Sequence, residues 1–431
     1  MKVSGNGRYI VEDDGTPFFY LADTAWHLFF QAPEDIETYL ANRLAKGYTV
    51  VQPVLLMGRG PNGEAGSPTS DGEFALIEND PTRPNEAFFE RIDRTLDRIE
   101  ASGLATALLP AWGGFVGPLR NDREMILFDR ENARAYGEFL GRRYKGRRLF
   151  WVLGGDHNPN EDEHRAVWEC MVEGLAAGDG GTHLMTYHPM PHDGGPSSSR
   201  WFHEREWLDF NMLQTGTRID RDNYVNILAD YNRQPTKPVV DGEIRYEYSH
   251  EFFYKPEKGR RVTAHQVRKG AYNCMLSGAM GHTYGCRDAW SFYVPSDTPP
   301  SRDVELHWKQ AIDLPGAFHM GHMKKLLTRY PWYRLVPDQD SKLVKEGCGE
   351  KGAYTPAAID ADGRFALVYV PEGQKITVAT GPLNGARVRA QWFDPRTGQY
   401  DAAGETKAGS ITIAPPQSNG DPDCVLVLEV V

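Results

Sequence analysis

Two carboxylates stand at the ends of apolar runs. Asp156 closes Leu149-Phe-Trp-Val-Leu-Gly-Gly, and Glu243 follows Pro238-Val-Val-Asp-Gly. Each run reads as a strand buried on both faces, as in a parallel sheet. An acid at the C-terminal tip of such a strand faces the cleft that the loops form. Two acids across one cleft can break a glycosidic bond: one protonates the leaving oxygen, the other attacks the anomeric carbon or activates water. Each also has a structural use. Asp156 could cap a helix from its Gly-Gly-Asp turn, and Glu243 could form a buried ion pair with Arg245.

These acids need a scaffold that brings distant strand ends together. Strand-like segments at 18–22, 48–56, 104–110, 148–155, 183–187, 208–213, 238–242 and 282–286 alternate with helical patterns at 85–102, 130–144, 162–177 and 221–231. A further helix starts at Pro33, and another runs from the capping box Thr263-Ala-His-Gln266 to about 280. Regular alternation demands parallel pairing with right-handed crossovers. Eight such units predict an α/β fold, a TIM (β/α)8 barrel over 1–335, entered through an N-terminal β-hairpin. From 336 to 431 the pattern changes to strand-type alternation, with turns at Asp362-Gly363, Glu372-Gly373 and Thr397-Gly398. That predicts a small antiparallel β-sandwich. The long segments 58–84 and 189–200, rich in Gly, Pro, Asn, Asp and Ser, are expected to be functional or mobile.

In this barrel Asp156 follows the fourth strand and Glu243 the seventh. The same rim would carry Asp23, Trp26 and His27 after the first strand, Trp112 after the third, and His157 and Asn158 after the fourth. Tyr187 and His188 follow the fifth, Gln214 the sixth, Arg245 the seventh, Tyr284 the eighth, and Trp290 lies in the last loop. Aromatic rings stack on sugar faces, and amide, imidazole and carboxylate groups bind hydroxyls, so these are candidate substrate contacts. Arg245 could also keep Glu243 ionised. Strand alternation puts Asp241 on the same side as Glu243, where it could tune that acid. Arg59, Arg245 and Arg287 could pair with uronic acids.

The net charge of −11, without a basic run, excludes nucleic acid as the expected partner. No run of eighteen apolar residues suggests a membrane span. Cys170, Cys274, Cys286, Cys348 and Cys424 are odd in number and widely spaced, which implies neither a disulfide framework nor a zinc site. His183, His188 and His192, like His157 and His164, lack the spacing of a helical zinc motif. Gly178-Asp-Gly-Gly181 lacks the Lys-Ser/Thr ending of a phosphate loop. No metal or cofactor is therefore expected. The N-terminus has no apolar leader, so the chain as written reads as cytoplasmic, or as secreted or periplasmic if a leader has been removed. The sequence sets no oligomeric state.

Leu21-Ala-Asp-Thr-Ala-Trp-His27, Trp151-Val-Leu-Gly-Gly-Asp-His-Asn-Pro159, Val240-Asp-Gly-Glu-Ile-Arg-Tyr246 and a closing Tyr284-Gly-Cys286 occur in this order across most of the chain. In these motifs the sequence resembles the family 140 glycoside hydrolases, apiosidase-like barrel enzymes with a collagen-binding-type β-domain. The resemblance implies a retaining mechanism with Asp156 as acid/base and Glu243 as nucleophile. It implies an oligo- or polysaccharide substrate, with apiose in the pectic polysaccharide rhamnogalacturonan II as the target. Related retaining barrels usually end the fourth strand in Asn-Glu, whereas this chain ends it in Gly-Gly-Asp, a shorter acid. An endo-glucanase-like or other barrel glycosidase is the alternative within the class. A non-catalytic carbohydrate-binding protein on a barrel scaffold is the alternative outside it.

Overall fold

The computed structural model describes residues 1–117, 125–191, 196–296, 303–407, 409–417 and 420–431. His192, and with it residues 192–195 of the 189–200 segment, lies outside the described residues.

Eight parallel strands form the central sheet: β1 Tyr20–Thr24, β2 Val50–Gln52, β3 Ala105–Leu108, β4 Leu149–Gly154, β5 Met185–His188, β6 Asn211–Gly216, β7 Val239–Ile244 and β8 Gly281–Tyr284. Their hydrogen-bonded order is β5-β4-β3-β2-β1-β8-β7-β6. The two ends of that order meet through Asp209, whose N–H donates to the Met185 carbonyl at 2.9 Å and whose carboxylate accepts from the Met185 N–H at 2.7 Å. The sheet thus curls into the barrel that the alternation predicts. Among the described residues, seven helices of nine residues or more lie outside it: α1 Pro33–Ala45, α2 Glu86–Ala101, α3 Arg130–Tyr144, α4 Asp162–Asp179, α5 Asn223–Tyr231, α6 Ala264–Leu276 and α7 Pro315–Thr328. Local chemistry sets their starts. Pro33 opens α1, the Asn85 side chain caps α2, and Gln266 Oε1 accepts from the Thr263 N–H at 2.9 Å ahead of α6.

Strand bounds differ from expectation, most at the second, which spans Val50–Gln52 rather than 48–56, and two of the shifts have a local cause. The sixth starts at Asn211 rather than 208, because Leu208 closes a turn onto the Arg205 carbonyl and Asp209 is held by Met185. The seventh continues to Ile244 because its pairing with β6 persists through Glu243 and Ile244.

Inside the barrel, Tyr20, Phe150, Phe210 and Met212 are packed in one apolar cluster. Ile10 and Phe18, from short N-terminal strands, join that cluster, and the Phe18 and Phe150 rings are 5.9 Å apart. The hairpin therefore plugs one end of the barrel. Trp26, Tyr246 and Trp290 belong to the same cluster and cover the other end, where the strands terminate. The 58–84 segment is compact: Ala65, Ala75 and Leu76 are buried in the layer outside the barrel, and the Ala65 N–H donates to Asn79 Oδ1 at 2.7 Å.

Past Tyr330 an antiparallel six-stranded sheet faces a three-stranded one. Their apolar faces share a core of Leu343, Val368, Ile376, Val378, Val388 and Leu426. The strand Tyr400–Lys407 has no apolar alternation to announce it and is fixed by pairing with Arg387–Phe393. The β-domain is tied to the barrel at α6, where the Tyr272 and Tyr369 rings stack at 4.6 Å.

Candidate active site

Asp156 and Glu243 meet. One oxygen of each carboxylate and one ring nitrogen of His188 all lie within 4.8 Å of one another. Asp156 sits two residues past β4 with φ 49°, preceded by Gly154 and Gly155, both also at positive φ. Gly155 has a physical reason: a Cβ there would lie 2.7 Å from the Trp112 ring. The Gly-Gly-Asp turn therefore lets an indole pack on the backbone while turning the carboxylate into the mouth. The left-handed conformation of Asp156 is strain held by its surroundings. No helix starts at Asp156, since α4 begins at Asp162, so the capping use does not apply.

Gln214 Nε2 donates to Asp156 Oδ1 at 2.6 Å, and the Asp156 N–H reaches His188 Nδ1 at 3.5 Å. On its other edge, His188 Nε2 lies 3.2 Å from Glu243 Oε2, off line for a hydrogen bond. Burial first, and the negative charge of Glu243 second, push the Asp156 carboxyl up to about 7. His188, the Gln214 hydrogen bond and Arg287 pull the other way.

The side chain of Glu243 reaches the mouth through an irregularity. Val240 is in the barrel's inner cluster, and the Asp241 carboxylate accepts from Thr215 Oγ1 at 2.6 Å and lies 3.9 Å from Cys274 Sγ on α6. Strict alternation would then send Glu243 outward with Asp241. The β6–β7 register shifts on both sides of Glu243, and this bulge turns it toward the mouth. Asp241 therefore does not share the side of Glu243, contrary to expectation. Burial raises its carboxyl to about 7. Arg245 is a second correction. It is buried at φ 35° and donates to the carbonyls of Gln266 at 3.1 Å and Arg221 at 2.8 Å, so it does not pair with Glu243 and stands outside the cavity lining.

The acid pair opens into a cavity of about 340 Å³. Of the expected contacts, Trp26, Trp112, Gln214 and Trp290 line it, and Arg287 does as well. Trp26 Nε1 donates to the Tyr246 hydroxyl at 2.8 Å, and the Trp26 and Trp112 rings meet edge-on at 5.1 Å. His188 stands just behind, with Trp26 5.5 Å from its ring.

The other expected contacts are elsewhere. Asp23 is buried against α1, accepting from the Tyr39 hydroxyl and pairing with Arg43 at 3.2 Å, because the outward positions of β1 face the helices. Tyr284 is outward on β8 and donates to Glu247 at 2.6 Å. Tyr187 is outward on β5, and its hydroxyl donates to the His157 carbonyl at 3.0 Å. His157 is buried with His164 and Trp168, and burial lowers its imidazole to about 3. Asn158 accepts from the Met190 N–H at 2.9 Å and anchors a loop. His27 braces Trp290 from behind, with rings 5.4 Å apart. Arg59 is exposed and outside the cavity lining.

The cavity also takes residues that strand counting does not reach: Tyr246, Arg218, Arg221, Phe253 and Tyr254. Signals for them exist in the sequence. Thr217-Arg-Ile-Asp-Arg221 follows the sixth strand directly, and Phe252-Phe-Tyr254 is an aromatic cluster in the loop after the seventh.

Residues 4–334 match the family model described as the apiosidase-like catalytic domain. Residues 336–429 match that of a collagen-binding-type domain of a collagenase. A solved structure named as a glycoside hydrolase is 27% identical, with TM-score 0.85, and the match covers 100% of this chain and 96% of that one. A family 5 glycoside hydrolase from Bacteroides vulgatus is 28% identical, with TM-score 0.86 and coverage of 100% and 93%. A mannosidase from an Opitutaceae bacterium, at 14% identity and TM-score 0.52 over 76% of this chain and 63% of its own, shares the fold. No curated protein matches the chain.

Proposed function

From the premise that this chain belongs to the apiosidase-like family and is a barrel glycoside hydrolase, we propose that it cleaves its substrate with retention of configuration. Glu243 is the nucleophile and Asp156 the acid/base. The observation that carries this reading is the separation of at most 4.8 Å between oxygens of the two carboxylates. Retaining enzymes hold their acids ~5–5.5 Å apart, whereas inverting ones need ~6.5–9.5 Å to fit a water.

In the first step the Glu243 carboxylate attacks the anomeric carbon while Asp156 gives its proton to the leaving oxygen, producing a glycosyl ester on Glu243. In the second, Asp156 takes a proton from water as that water displaces Glu243, which restores both acids. A carboxyl held near 7 suits both duties at neutral pH. Trp26, Trp112 and Trp290 wall the cavity beside the acids, and Gln214 orients Asp156.

For the substrate we propose pectic carbohydrate, with a terminal apiosyl unit as the sugar released. The family match and the aromatic-walled cavity support it.

The test is hydrolysis of an aryl β-glycoside panel that includes an apioside, followed by proton NMR of the first product. Retention is expected, and Glu243→Ala should lose turnover and recover it with azide. Initial inversion would remove Glu243 as nucleophile. No turnover of any glycoside, with sugar binding intact, would favour the binding-protein alternative.

A further inference from the structure

The cavity wall carries a cation whose charge reaches Asp156 but which, among the described residues, forms no ion pair with either acid. Arg287 opens the short helix Arg287–Trp290 and lines the cavity. Its guanidinium lies over the Phe253 ring at 3.9 Å and the Trp290 ring at 5.4 Å. Its Nε is buried without a hydrogen-bond partner, and among the described residues no carboxylate pairs with it. The neighbouring charges are engaged. Arg218 pairs with Asp220 at 2.6 Å, and Glu251 accepts from Arg260 Nε at 3.0 Å and from the Ile219 N–H at 3.1 Å. Arg221, donating to the carbonyls of Pro191 and Thr215, adds a second positive charge to the same wall.

An arginine left incomplete in a partly dry cavity is costly unless a ligand supplies its acceptors. The planar guanidinium fork matches a carboxylate through two parallel N–H···O bonds, and ring stacking fixes the plane of that fork. Neutral sugar hydroxyls would not need a cation here. We propose that Arg287 determines specificity by holding the carboxylate of a uronosyl unit next to the scissile bond. Its place beside that bond rests on the glycosidase reading; the anion recognition itself does not.

Binding separates the two. With the full-length Glu243→Gln protein, titration calorimetry compares trigalacturonate with the same trisaccharide after carbodiimide reduction of its carboxyls. The acid form is expected to bind about tenfold or more tighter, a preference that shrinks as salt rises from about 50 to about 500 mM. Arg287→Gln in that background should erase the preference by weakening only the acid form, and Arg287→Lys should restore part of it. Equal binding of the two trisaccharides overturns the proposal, and that comparison needs no change at Arg287. A preference that survives Arg287→Gln overturns it too. Absence of any glycoside turnover by the parent protein, with the acid preference intact, would instead count against the glycosidase reading alone.

Discussion

The mouth of the barrel and the seam between barrel and β-domain both bury charge, but they treat it in opposite ways. At the seam, Arg268 and Asp423 are fully buried and 2.6 Å apart. Arg268 Nε donates to Asp423 at 2.8 Å, another nitrogen reaches Asp421 at 2.8 Å, a third reaches His319 Nδ1 at 3.1 Å, and Tyr369 donates to Asp423 at 2.9 Å. At the mouth, among the described residues, Asp156 accepts one hydrogen bond, from Gln214, and the Glu243 carboxylate accepts none. His188 Nε2 and Arg287 Nε are likewise buried without partners. Asp156 is also held in a left-handed conformation, whereas neither Arg268 nor Asp423 is. The saturated Arg268–Asp423 pair fixes one arrangement of two domains. Unsaturated ones are held in wait for groups that arrive with the substrate.

Substitutions that fall differently on activity and stability would sharpen or break this contrast. The largest effect is expected at Glu243→Ala: loss of about 10³-fold or more in kcat, restored in part by azide, with thermal stability unchanged or raised. A destabilised but active variant would put Glu243 with the seam rather than the mouth. Asp423→Ala should do the reverse. It strands the buried Arg268 and should cost about 3–5 kcal/mol in denaturant unfolding while leaving kcat per folded molecule within about threefold.

Asp156→Asn should abolish activity on poor leaving groups and stabilise the fold at neutral pH. The sign follows from its raised carboxyl. Between about pH 4, where the unfolded chain loses this proton, and about 7, where the native protein does, stability falls as pH rises. The variant lacks that contribution, so its melting temperature should exceed the parent's above pH 7 by a few degrees and converge with it near pH 4. A lower melting temperature at pH 8 would make Asp156 a structural acid. In the parent, kcat/KM should fall about tenfold per unit above pH 7 as Asp156 loses its proton. The smallest effect is expected at Gln214→Ala, which removes a hydrogen bond that favours ionised Asp156 and should move that alkaline limb upward by a fraction of a unit. A limb that stays in place would assign the titration to another group.

Much of this was legible from one-dimensional pattern. The Thr263/Gln266 box started a helix, and the strand-tip position of Asp156 and Glu243 announced the pair. What failed was the assignment of faces. Tyr187 and Tyr284 lie on strands as expected, yet their side chains turn to the helix layer, and Asp23 serves Arg43 rather than sugar. A position near a strand end says nothing of which side of the sheet a side chain takes. In β7 alternation gave the wrong side for Asp241, because a bulge at Glu243 breaks it.

By itself the sequence determined the barrel, the appended β-domain and the strand ends at which the two acids stand. Apolar periodicity and local capping are encoded in neighbouring residues and survive without tertiary context. Only the tertiary structure decided that Glu243 faces inward, that His188 stands between the acids, and that Arg287, among the described residues, is left without an acceptor beside them. Each depends on the register between strands far apart in sequence, or on which groups a fold brings close enough to satisfy one another.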